Sequence, residues 1–274
     1  MSLFCLLPFI MVLSASFSDQ SLLFQEGYSL LPRGFTLEAY KAAISSGGSL
    51  INAYKTTIIV TLSGTFTSLL FTSMLGYVIN RKDFRLGKPI SGLLLFAMLF
   101  SAGIVPSYIV MTQVYHLKDN ILAMILPLLI TPWNVFLMKN FMRDISMDLI
   151  EAARIDGAGE IRTFFQIVIP LSKPALATLG LLIAFAYWND WMTCMMYIDN
   201  VDLTNLQYYM YRLMNNIKFL TESSMAGAMV DLSKLPTETM RMALCVLAAG
   251  PMLVVFPFFQ RYFVRGLKVG SVKG

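Results

Sequence analysis

Residues 56–85 read TTIIVTLSGTFTSLLFTSMLGYVINRKDFR. From Thr56 to Asn80 no residue is charged, and the next five positions bring Arg81, Lys82, Asp83 and Arg85 together. A helix needs about 20 apolar residues to cross the hydrocarbon core of a bilayer, so this run reads as a membrane span that ends abruptly at water. The same signature recurs at residues 90–113, at 121–138 (ending on Lys139), at 175–198 (interrupted by Asp190) and at 242–260 (ending on Arg261). A sixth segment, residues 2–18, is shorter. Its Ser14-Ala15-Ser16 resembles the cleavage site of a signal peptide, but no basic residues precede the apolar stretch, which favours a first transmembrane helix. The expected fold class is all-α: a polytopic membrane protein of six transmembrane helices.

Composition agrees. The 274 residues are 57% hydrophobic and 14% charged, against roughly 45–50% and about 25% in soluble domains; mean hydropathy is +0.65. The net charge of +5 needs no nucleic-acid partner, because the basic residues that orient membrane proteins give the same sign. Cys5, Cys194 and Cys245 lie in or beside apolar runs without CxxC or Cys/His spacing, and the single histidine, His116, sits in a short polar link. That inventory offers neither a metal site nor a nucleophile–base pair, so a membrane-embedded enzyme is not expected.

Orientation follows from lysine and arginine. Thirteen of the 21 fall in the connections after residues 80, 138 and 260, and eight in the longer opposite set. The denser side is expected to be cytoplasmic, placing both termini inside and the long segments 19–55 and 199–241 outside.

The connection 139–174 is the informative one. Ser146 reads as an N-cap with Asp148 in the first turn, Ile150, Ala153 and Gly157 fall on one face, and Asp156-Gly157 ends the helix. A second short helix, Glu160 to Val168, is expected to close at Pro170. The loop therefore reads as two short helices at an angle on the cytoplasmic surface.

Glu151-Ala152-Ala153, Asp156-Gly157, Ile167 and Pro170 stand at the spacing of the EAA loop of ABC import permeases, and the chain resembles that family over nearly its whole length. Ile169 replaces the family's usual Leu. Tyr187-Trp188-Asn189-Asp190-Trp191 and the stretch from Gln260 to Gly274 resemble the carbohydrate branch, similar to maltose permease-like proteins and nearest to oligo- or polysaccharide importers. The resemblance implies a type I ABC importer permease fold, with the loop docking on an ATPase through Glu151, Ala152, Ala153, Asp156, Gly157, Ile167 and Pro170. It also implies the partners: a second permease subunit forming a heterodimer, two ATPase subunits and an extracellular solute-binding protein.

No Gly-x-x-x-x-Gly-Lys-Ser/Thr occurs in the sequence. The chain therefore lacks the P-loop route to ATP, and no cofactor is expected on it; ATP and Mg2+ would belong to the ATPase chain. Asp190 lies about 15 residues into its span, about 22 Å up at 1.5 Å per residue. An ionisable group at that depth faces a cavity or a partner. Trp133 and Asn134 lie at a comparable level beside Pro132. Stacking rings and hydrogen-bonding groups suit a sugar, so Trp133, Asn134, Tyr187, Trp188, Asn189, Asp190 and Trp191 are the candidate pathway residues; the alternative is that the aromatics are anchors or core. An ion-coupled transporter would need further buried carboxylates, and only Asp190 lies within a span.

Overall fold

The structure is a computed structural model that describes residues 2–45, 49–81, 83–222 and 237–271. Lys82, Lys234 and Lys273 of the charge count, and the end of the C-terminal stretch, lie outside the described residues. Every regular element among the described residues is helical. The chain divides into two units, residues 1–56 with 199–254, and residues 57–198 with 255–274.

Among the described residues, two helices are long and apolar enough to cross a membrane unbroken: α4 (Ser49–Asn80) and, within α14 (Thr237–Ser271), the stretch 238–255. The other expected spans are not straight. Residues 90–113 form α5 (Gly87–Leu99) and α6 (Ile104–Val114), bent by 116°. Gly103 sits at φ +88° between them, a backbone setting that excludes ordinary side chains and stops a helix; apolar composition alone hid the break. Residues 121–138 form α7 (Leu122–Leu129) and α8 (Pro132–Met142), bent by 52°. Pro132 takes the first turn of α8, where its missing N–H costs nothing. The fifth span runs as α11 (Lys173–Asn189), breaks at Asp190-Trp191, and resumes as α12 (Met192–Tyr197). The first segment is the helix α1 (Ser2–Ser16), about 22 Å long at 1.5 Å per residue.

In the first unit the segment after α1 is built rather than slack. Asp19 caps α2 (Gln20–Glu26), accepting from the amides of Ser21 (2.8 Å) and Leu22 (3.4 Å). Phe17 stacks on Phe35 and Tyr40, and the backbones of Asp19 and Arg33 join at 2.9 Å. α3 (Glu38–Ser45) then leads towards α4. Of the segment 199–241, expected on the outer side, residues 223–236 lie outside the described residues; its described part carries α13 (Leu206–Glu222). Asp202, just before α13, accepts a hydrogen bond from Asn52 at 3.2 Å.

In the second unit the core gathers at the end that carries the 139–174 loop. Tyr77 from α4, Met138 and Met142 from α8, Ile150 and Phe164 from the loop, and Ala175 and Leu179 from α11 pack together. Gly76 lets α4 approach α8: a Cβ there would lie 2.9 Å from Met138 Cγ. Gly92 and Gly250, by contrast, face open space among the described residues. Large apolar side chains elsewhere stand outward, including Leu93, Leu99, Val105 and Leu62. Apolar surface of that extent is not stable against water and suits lipid or a partner helix.

Candidate functional site

The loop begins with α9 (Met147–Ile155), where the Ser146 hydroxyl accepts from the amide of Asp148 at 3.2 Å. Helical periodicity splits α9 into two faces. Ile150 and Ala153 are buried in the core, while Glu151, Ala152 and Asp156 are exposed and Ile155 is 87% exposed. Gly157 does not share the buried face as expected. It lies past the helix end at φ +79°, exposed, in the left-handed position where the Ala158 amide turns back to the Ala153 carbonyl at 2.9 Å. That arrangement satisfies carbonyls the helix end would otherwise leave open.

The second loop helix, α10 (Glu160–Leu171), meets α11 at 83°. Phe164 and Val168 face the core, Ile161 is 76% exposed, and Phe165 is exposed beside it. Pro170 does not close α10, contrary to expectation: the helix runs on to Leu171 and ends at Ser172. The reason is a wide five-residue π turn, Phe164–Val168, in which Ile169 N–H donates to Phe164 rather than to the carbonyl four residues back. This shift in bonding accommodates a residue without a donor one position later. Ile167 is half-buried and Pro170 exposed.

A charge cluster that sequence reasoning missed ties this loop to α4. Arg81 holds Asp83 through both arms of its guanidinium, with Nε to Oδ1 at 2.9 Å. Its Nη1 donates to Tyr77 Oη at 3.0 Å and to Glu160. Tyr77 Oη in turn donates to Glu160 at 3.1 Å. Arg154 Nη2 reaches both carboxylates, at 2.8 Å to Asp83 and 2.7 Å to Glu160. Burial works against the charge on Arg81, but the hydrogen bonds it donates to Asp83 and Tyr77 outweigh it and its pKa is raised. The sequence did show a charged cluster at the span end; it could not show that the partner lies 79 positions away.

The candidate pathway residues divide. Tyr187 and Trp188 are buried, and the Tyr187 hydroxyl donates to the Ile125 carbonyl at 2.9 Å, so Tyr187 holds α11 to α7. Trp133 is 58% exposed at the start of α8. Asn189 is exposed and donates to the Phe185 carbonyl. Asp190 is half-buried at the break between α11 and α12, accepting from the amide of Thr193 at 3.2 Å and from its hydroxyl. It therefore caps α12. The half-buried Asn134 and Trp191 accompany these breaks.

Residues 68–269 match the family of binding-protein-dependent transport system inner membrane components. The chain is 36% identical over its whole length to the polygalacturonan/rhamnogalacturonan transport system permease protein YtcP of Bacillus subtilis (strain 168), covering 94% of it. It is 28% identical, over 100% of the chain and 92% of the relative, to the arabinooligosaccharides transport system permease protein AraQ of the same organism. A chain in the crystal structure of a bacterial ABC transporter involved in the import of the acidic polysaccharide alginate superposes with a TM-score of 0.83 at 30% identity, covering 96% of this chain and 92% of that one.

Proposed function

The chain belongs to the family of binding-protein-dependent transport system inner membrane components, and on that premise we propose that it forms half of the pathway by which an ABC importer carries an oligosaccharide across the cell membrane. As a permease subunit it is a transporter component and not an enzyme. Its relatives are permease proteins of polygalacturonan/rhamnogalacturonan and arabinooligosaccharide transport systems, which supports an oligosaccharide as cargo. A solute-binding protein delivers the sugar on the side of residues 19–55 and 199–241, a second permease completes the pathway, and two ATPase subunits bind and hydrolyse ATP with Mg2+. Both termini face the cytoplasm with the loop.

One observation carries the coupling role: the 139–174 loop buries Ile150, Ala153, Phe164 and Val168 in the bundle while presenting Ile155 and Ile161 almost fully to solvent. An exposed apolar pair flanking Asp156 and Gly157, with Glu151 one turn before Ile155, fits a protein that grips the loop from the cytosol. The grip moves two short helices whose other faces belong to the core. Displacement of the loop then biases a bundle with two arrangements, opening it alternately to each side. Trp133, Asn134, Asn189, Asp190 and Trp191 are the pathway positions nearest the helix breaks; Tyr187 and Trp188 support them from the core.

The test is reconstitution of the four-subunit importer in proteoliposomes with its solute-binding protein. Uptake of neutral and uronate oligosaccharides is measured with and without ATP. ATP-dependent accumulation of a sugar, abolished by Glu151→Lys together with loss of ATPase attachment, is the expected result. Undiminished uptake by that variant overturns the coupling assignment.

A further inference from the structure

Arg81, Asp83, Arg154 and Glu160 form a closed ring of alternating charge drawn from three places: the end of α4, the last turn of α9 and the start of α10. We propose that Arg81 is the positioning residue that fastens the loop to α4, so that displacement of the loop carries the end of this long helix with it. The proposal rests on the coupling role of residues 139–174 given above.

Arg81 differs from an ordinary basic residue at a span end. Such a residue keeps its charged head in water, yet the Arg81 side chain is 6% exposed. Its fork is engaged on two sides, by Asp83 and by the Tyr77–Glu160 pair. A lysine, with one point charge and no planar fork, cannot hold both at once.

The ring also spans the weakest part of the loop. Between α9 and α10 lie Asp156, Gly157, Ala158 and Gly159, of which Gly157 is in the left-handed region and Gly159 is exposed. Glycine leaves such a link free to reorient. Arg154 and Glu160 stand on either side of it and bond directly, at 2.7 Å and 3.2 Å from the two guanidinium nitrogens. With the ring closed, α9 and α10 and the end of α4 move together; with the ring open, the glycine link absorbs the motion. α4 is a continuous helix of 32 residues, so a shift at its end is conveyed along it.

The experiment uses the complete importer in proteoliposomes and reads ATP hydrolysed per sugar imported, with assembly checked by size exclusion. Arg81→Lys keeps the charge and loses the fork. Glu160→Gln removes a charge from a half-exposed side chain and leaves the fold intact. Both variants are expected to hydrolyse ATP near the wild-type rate while uptake falls about tenfold, within the 5–150-fold range of coupling between sites. An unchanged ratio in both variants, or hydrolysis and uptake falling in parallel, overturns the proposal. Wild-type complex without ATP-dependent uptake would instead remove the coupling reading, and this proposal with it.

Discussion

The phenol end of Tyr187 fills the space over Gly64: a Cβ on Gly64 would lie 2.6 Å from Tyr187 Cζ and 2.7 Å from Cε1. The ring is held there by its hydroxyl, which donates to the Ile125 carbonyl. Three helices, α4, α7 and α11, thus meet at one side chain. Gly64→Ala is expected to destabilise the protein by about 1–3 kcal/mol, the usual cost of overpacking. Tyr187→Phe, which keeps the ring and loses the donor, costs about 1 kcal/mol. Gly64→Ala combined with Tyr187→Leu should cost less than the two singles together, because both act on one contact. Melting temperatures in detergent decide it; strict additivity would mean that the two residues do not share that space.

Gly157 stands in open space, so substitution there meets strain rather than collision. The left-handed setting costs an L-residue roughly 1–2 kcal/mol, and asparagine tolerates it better than alanine or valine. Gly157→Asn should therefore retain more ATP-dependent uptake than Gly157→Ala, and Gly157→Val least. Equal activity of all three would show that the setting does not matter to coupling.

Ile155 and Ile161 contribute nothing to the core they border. Ile155→Asp and Ile161→Asp are expected to leave the melting temperature of the isolated subunit unchanged. They should reduce recovery of the ATPase with the complex by tenfold or about 1.4 kcal/mol. A lowered melting temperature with normal ATPase recovery would reverse this assignment.

Asp19 caps α2, and its carboxyl pKa is lowered below the ordinary value, chiefly by the hydrogen bond from the Ser21 hydroxyl with support from backbone amides, against an opposing effect of burial. A depressed folded pKa stabilises the cap above the unfolded value of about 3.9. That stability is lost as pH falls through the lower folded value. Hydrogen exchange at Ser21 and Leu22 should accelerate, relative to its intrinsic rate, as pH drops below about 4. In Asp19→Asn that acid-dependent change should disappear; persistence of the full change would assign it to another group.

The span at residues 56–80 was legible because an uncharged run bounded by a dense basic cluster has one economical reading. The helix breaks were not, since apolar composition is the same on both sides of Gly103 and of the Ile130-Thr131 corner. The faces of α9 followed from its periodicity, and Ile150 and Ala153 were placed correctly. Asp156-Gly157 was read correctly as the helix end, whereas placing Gly157 on the face of Ile150 and Ala153 extended the periodicity beyond the cap. Tyr187 read as a pathway residue because an aromatic near Asp190 looks the same in sequence whether it faces a cavity or the core. The Arg81 ring was invisible for a simpler reason: pairing across 79 positions depends on how the chain folds back, which local spacing does not encode.

The wide turn at Phe164–Val168 holds one more residue than the helix around it requires. Deleting a single residue there would tighten the turn to ordinary pitch and leave the start of α11 in phase with Phe164, whereas deleting one from a regular turn beside it would swing everything downstream by about 100°. This short stretch can therefore absorb a one-codon loss that its neighbours cannot, because the residue removed is one the helix does not need.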